Sequence, residues 1–546
     1  MKNDKLKYKI LIIPLIFFGL FGLAKVSFAA TINAASCSQA DVTTAYNASS
    51  DGDVLVVPAG DCSSSNAWSG YITILKQLTV KGAGIGNTII GISTWASGFM
   101  IKANNVRITG FTFDGKYNNA ETHGLIYVGD DGTFPTLQVH DFRIDHNRFI
   151  NTSDNSYPPS GVIGQDVITV RGYSYGVIDH NTFEDPNGES VDICADGPPG
   201  LARPIDFGDY TNGTVYVENN TWNYSHAAEN AIDGNSASRY VFRYNTINMG
   251  NGSKLNGMVS DHELCATCTC GGAEGDAGSV LMEVYGNTIN NNRISNYGLL
   301  QLVQDRSGKA LIYNNTVYGA DVYGAPNTVW SSVYRANQYS NGSCGSAAHG
   351  RGYSAWCHDP DAGYTDEGRS AATTTITSSL GTGDQSVSVT NVNSFPTYGG
   401  SIIIGGEQID YMGISGLTLT GCTRGANGTT ATSHPNGASV DLLIFGACLE
   451  QVNNTWVWGN NYNDGSTNHA RNGVALYASD HSYLPVHNDY TAYDIQSYAV
   501  RPQNWQYRND GTAYSYTPYP YPHPLTLIDT TPPDTPPAPP TGVVVN

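Results

Sequence analysis

The chain has 546 residues, a net charge of −20 and only 14% charged residues. That is long enough for several structural units, and too acidic for the basic footprint that nucleic acid demands. Its 61 glycines and 35 tyrosines point to a turn-rich, exported all-β protein whose partner is neutral or bridged through a cation.

The first residues read as a targeting signal. Lys2, Lys5, Lys7 and Lys9 precede the apolar run "ILIIPLIFFGLFGLA", and "SFA" ends at Ala29 as a small-x-small cleavage site. Residues 1–29 are therefore expected to be a cleaved signal peptide. An uncleaved anchor is the other reading, but the run is short for a membrane span. No later run is long enough, so the mature chain is expected to be extracellular, with no membrane span. Ten cysteines, an even number, suit an oxidising compartment. Cys37 and Cys62 flank the first turn and are candidates for one bridge, and Cys344 and Cys357 for another. "HELCATCTC" gathers His262, Cys265, Cys268 and Cys270, a set that suits zinc or disulfides. Export favours disulfides.

Residues 30–323 carry a repeat. "FRIDHNRFIN", "GVIDHNTFED", "VYVENNTWNY", "VFRYNTINMG", "MEVYGNTINN" and "ALIYNNTVYG" each place an apolar strand before an asparagine: Asn147, Asn181, Asn220, Asn245, Asn287 and Asn315. Upstream of them run a second set of strands: "GLIYVG", "DVITVR", "SVDICA", "NAIDGN", "GMVSDH" and "LLQLVQ". One such unit cannot bury its own apolar face, so copies must stack into parallel ladders about 4.8 Å apart. The asparagine then marks one corner of every coil, where it satisfies backbone groups along the stack.

Beyond the repeat, residues 324–369 read as a loop-rich insertion. Residues 370–446 alternate apolar and polar with Gly and Asn turns, as a small all-β module. It either binds sugar or serves as a cap and spacer. "CLEQVNNTWVWGNNYND" returns to the coil pattern, giving a final coil over 447–466. Residues 467–529 are an aromatic-rich extension, expected to pack along a surface, and 530–546 a stiff Pro-rich tail.

These stretches resemble a known family. "DGDVLVVPAGDC", "ITILKQLTVKGAGIGNTII" and "DVITVRGYSYGVIDHNTF" are similar to the coils of the pectin lyase-like superfamily. The segments "SRYVFRYNTI" through "ALIYNNTVYG" also resemble uncharacterised bacterial secreted β-helix proteins. The resemblance implies an all-β fold, a right-handed parallel β-helix with an inserted small all-β module, and a polysaccharide partner. In lyases of this fold a Lys or Arg serves as base, often beside Ca²⁺.

Aligning the upstream strands puts Ile126, Ile168, Val191, Ile232 and Leu300 inward. The next residue of each then faces outward. That outward column reads Tyr127, Thr169, Asp192, Asp233, Ser260 or Asp261, and Gln301. Asp192 and Asp233 become neighbours on adjacent coils. They suit the acid and nucleophile of a retaining glycosidase, a Ca²⁺ site shared with Asp261, or solvated surface aspartates. Arg239, Arg243, Arg306, Lys309 and His262 are the basic candidates near the column, with Arg243 expected on a different face. Catalytic roles are assigned to Asp192, Asp233, Arg306, Lys309 and His262, and substrate binding to Tyr127, Gln301 and Arg239. The paired-Asp and Gly-His-Gly pattern of polygalacturonases and the Arg motif of pectate lyases are not found, and Asp166 and Asp179 occupy scaffold strings. The reading adopted is a secreted polysaccharide lyase or glycoside hydrolase acting on an acidic polysaccharide. A non-catalytic glycan-binding or adhesive protein is the alternative.

Overall fold

A strand that alternates apolar and polar residues can bury one face only, and each coil here carries three such strands. The computed structural model describes residues 29–93, 98–115, 123–129, 138–152, 166–172, 174–186, 188–194, 207–208, 210, 213–225, 227–228, 230–235, 238–250, 254–255, 258–261, 279, 281–292, 302–305, 309–319, 331–333, 373–393, 395, 400–426, 430–443, 455–463, 468–470, 474–476, 495–498 and 516–528. Within them the chain winds as a right-handed parallel β-helix with three long sheets. Sheet 1 runs from Tyr71–Ile74 to Val474–Leu476, sheet 2 from Thr31–Asn33 to Ile495–Tyr498, and sheet 3 from Gly60–Cys62 to Asn468–Ala470. From Tyr71 onward each coil visits sheets 1, 2 and 3 in that order. All of their pairings are parallel except the last of sheet 3.

The inward residues form one continuous core. Phe113, Phe149, Phe183 and Trp222 stack in register along it, with centroid spacings of 5.3, 5.0 and 4.7 Å. The N-terminal helix Gln39–Ala48 adds Val42 and Ala45 to that core, and the Ser38 side chain caps its first turn. Cys37 and Cys62 are bonded to each other, as expected, whereas Cys344 and Cys357 lie outside the described residues.

The corner between sheets 2 and 3 is held by the asparagines. The Oδ1 of Asn181 accepts from Asn147 N at 3.0 Å, that of Asn220 from Asn181 N at 2.9 Å, and that of Asn245 from Asn220 N at 2.9 Å. Asn287, Asn315 and Asn460 continue the ladder. On the outside of sheet 3 a second amide ladder links Glu184, Asn223, Asn248 and Asn290.

The inserted module is present as two small antiparallel sheets between Thr373 and Leu443. The helix itself extends further than the sequence suggests. Ser331–Val333, in the stretch read as loop, is a strand of sheet 1, and so is Val474–Leu476, beyond residue 466. Both are three-residue strands, SSV and VAL, too short to show an alternating pattern, so the sequence reading passed over them. Residues 516–528 lie against the outer face of sheet 2. Arg243 donates to the carbonyls of Tyr519 and Pro520 at 2.7 and 2.8 Å, and His523 N donates to Glu218 at 2.8 Å.

Candidate functional site

Sheet 1 carries the outward column. Its register runs Met100, Tyr127, Thr169, Asp192, Asp233, Ser260 and Gln304. The inward neighbours Ile126, Ile168, Val191 and Ile232 lie in the core, which places Asp192 and Asp233 side by side on adjacent coils, as expected. Two positions are corrected. Val303, not Leu300, continues the inward row, so Gln304 takes the place expected for Gln301, which lies outside the described residues. Ser260 fills the column, while Asp261 registers with Gly234 one position further on, in the row of Ile193 and Val170.

The column is not an open face. Tyr127, Thr169, Asp192, Asp233, Ser260 and Gln304 are all buried, Asp233 completely. Charged groups held this deep need compensating partners. Glu189, just before the Val191–Cys194 strand, joins Asp192 and Asp233, and one carboxylate oxygen from each lies within 4.8 Å of the others. This is a donor set suited to a hard cation that prefers oxygen. On the same face Arg171, two residues after Thr169, is buried and donates to the Tyr127 hydroxyl at 3.3 Å. It is a same-face diagonal neighbour of Asp192 across the parallel strand pair.

The other expected residues fall elsewhere. Arg239 opens the sheet 2 strand Arg239–Arg243 and is 1% exposed. Its neighbours Tyr240 and Phe242 point into the core, so Arg239 and Arg243 belong to the outer side of sheet 2 and not to the column. Arg239, expected in substrate binding, is therefore covered on the outer side of sheet 2. Lys309 begins the next-but-one strand of the same sheet, in line with Leu281 and Arg239. It too belongs to sheet 2. Tyr127 faces outward but is covered, its hydroxyl engaged by Arg171. Arg306 and His262 lie outside the described residues, as do the cysteines of "HELCATCTC".

Glu189 and Arg171 were missed in the sequence. Arg171 was within reach, since period two puts it on the face of Thr169. Glu189 sits in the segment before its strand, where no periodicity fixes direction.

Among the described residues no helix is long and apolar enough to cross a membrane. No family model matches the chain, and no curated protein matches it. Among solved structures, an alginate lyase from Paenibacillus sp. str. FPU-7 is 16% identical, with 54% of this chain and 96% of that chain covered and a TM-score of 0.32. A PL6 alginate lyase in complex with a trisaccharide is 14% identical, covering 56% of this chain and 64% of that one at a TM-score of 0.33. The PL6 family alginate lyase AlyGC is 14% identical, covering 56% and 47% at a TM-score of 0.26.

Proposed function

We propose that the chain is a secreted polysaccharide-acting protein, a lyase for a uronate-containing polysaccharide, organised around a calcium centre on sheet 1. The observation that carries this reading is the convergence of Glu189, Asp192 and Asp233. Three carboxylates so close repel one another, and a divalent cation offsets that repulsion while taking the oxygen ligands it prefers. The burial of Asp192 and Asp233 favours holding an ion over direct contact with a polymer. When bound, such an ion draws charge from a substrate carboxylate, which acidifies the adjacent C–H bond. On this reading Arg171 and Tyr127 form a buried hydrogen-bonded pair beside the centre. The Cys37–Cys62 bridge supports an oxidising, extracytoplasmic setting.

The test separates the ion from the reaction. Thermal melts of the mature protein with Ca²⁺ or chelator report binding. At a concentration 100-fold above Kd the ion adds about 2.7 kcal/mol. Asp192→Asn and Asp233→Asn should each abolish the calcium-dependent rise in Tm. Ultraviolet absorbance of new unsaturated ends and reducing-end release, on a panel of uronate-containing and neutral polysaccharides, report the chemistry. Absorbance that disappears with chelator supports the lyase. Reducing ends without absorbance would replace it with a hydrolase using Asp192 and Asp233. Retention on a glycan column with no product would leave a binding protein.

A further inference from the structure

From Gly110 onward the corner between sheets 2 and 3 holds one residue per coil in the left-handed region, and from His146 onward that residue stands immediately before a ladder asparagine. In order these are Gly110, His146, His180, Asn219, Tyr244, Gly286, Asn314 and Gly459, with φ between 52° and 81°. Glycine and asparagine suit this conformation, and larger side chains need a reason to adopt it. Tyr244 has one, since its ring packs on Tyr521 at 3.9 Å. His146 and His180 contact each other instead. Their rings are parallel to within 2° at a centroid distance of 4.9 Å, and their side chains are 55% and 44% exposed.

Each ring is anchored in the same way. His146 Nδ1 lies 2.7 Å from Asp145 Oδ2, and His180 Nδ1 lies 2.8 Å from Asp179 Oδ2. Both carboxylates are buried and gripped by arginine forks. Arg107 donates to both oxygens of Asp145 at 2.7 Å, and Arg143 donates to both oxygens of Asp179 at 2.9 Å. A carboxylate so held can only accept from the ring, which places the imidazole proton on Nδ1 and leaves the Nε2 lone pair for another partner. A buried carboxylate behind an outward imidazole is how proteins orient histidine as a metal ligand. The carboxylates themselves, already engaged by guanidinium groups, orient the rings and do not ligate.

We propose that His146 and His180 form a two-imidazole site for a borderline divalent cation, Zn²⁺ or Ni²⁺, distinct from the oxygen donors of sheet 1. Imidazole pairs select such ions over Ca²⁺. The parallel rings aim their Nε2 lone pairs side by side, so to reach one ion at a metal–nitrogen distance of about 2.0–2.1 Å both rings must tilt toward each other. Water completes the coordination.

The full chain, stripped with chelator and held in excess Ca²⁺, would be titrated calorimetrically with Zn²⁺ and with Ni²⁺. His146→Asn and His180→Asn are the variants of choice, because asparagine already occupies this corner at Asn219 and Asn314. Each variant should lose the same site, with affinity falling about tenfold or more, and the double variant should lose nothing further. Any zinc bound elsewhere titrates equally in all the proteins. On the wild-type chain, Zn²⁺ should protect His146 and His180 together from acylation at Nε2, read by mass spectrometry. Unchanged binding in either single variant, or protection of one ring only, would overturn the proposal.

Discussion

At the scale of the residue, the side chain of each corner asparagine satisfies backbone groups of the neighbouring coil. Asn220 Oδ1 accepts from Asn181 N, its Nδ2 donates to Ile178 O at 2.8 Å, and its own N donates to Asn245 Oδ1 at 2.9 Å. Truncation leaves a buried N–H and a buried carbonyl without partners, each costing about 1–3 kcal/mol. Asn220→Ala is therefore expected to destabilise the chain by about 3 kcal/mol in urea unfolding, whereas Asn223→Ala, half-exposed on sheet 3, should cost under about 1 kcal/mol. The ladder was legible because the same residue recurs at the same structural position in every coil. The end of the acidic column was not. "LLQLVQD" offers an apolar–glutamine pair twice, at Leu300–Gln301 and Val303–Gln304, and an isolated strand gives no reason to prefer the second. The neighbouring coil decides it, through Val259 facing Val303.

At the scale of the element, the segment 516–528 acts as a strap over sheet 2. Tyr516 donates to Glu283 at 2.5 Å and also meets the Tyr313 hydroxyl, while Arg143 reaches the carbonyls of Leu525 and Thr526. His523 is fully buried among Tyr210, Tyr216 and Tyr519, and its Nδ1 accepts from Leu525 N, which requires the neutral ring. Burial, with Arg243 and Arg143 nearby, pushes its pKa down to about 3. The folded state thus resists a proton that the unfolded chain takes up below its ordinary value of 6.5. This contribution to stability is complete above that value and is lost as pH falls from there toward 3, amounting to about 2 kcal/mol at pH 5. Proteolysis between Tyr516 and Ile528 should accelerate over that interval, and His523→Gln should flatten the dependence. Tyrosine and proline density announced a surface-packed segment. Its seat was not readable, since Arg243 and Tyr519 are 276 residues apart in sequence.

At the scale of the whole molecule, the three outer faces of the helix differ in kind. Sheet 1 hides its acidic column, sheet 2 is covered by the strap, and sheet 3 presents its amide ladder. The inserted module falls between a sheet 1 strand and the next sheet 2 strand, and the coil closes around it. Leu311, Ile312 and Tyr313 pair with Trp456, Val457 and Trp458, and Val333 with Leu476. Replacing residues 370–446 by a short Gly/Ser linker is therefore expected to leave the helix folded, with its sheet signal by circular dichroism retained, as loop length costs little. Tm should fall, because module residues such as Ile402 and Leu419 share one buried apolar cluster with Val241, Leu281 and Leu311 of sheet 2. Loss of cooperative unfolding in the shortened chain would show that the module supports the coil. The strap has one further effect. Stacked coils touch only their neighbours, and such arrays ordinarily lose end units one at a time. The strap runs back from the coil of Tyr313 to that of Arg143, tying these middle coils together. Opening any coil within that span must then break strap contacts to the others, so amide exchange between the Arg143 and Tyr313 coils should report one shared opening energy and not a gradient along the axis.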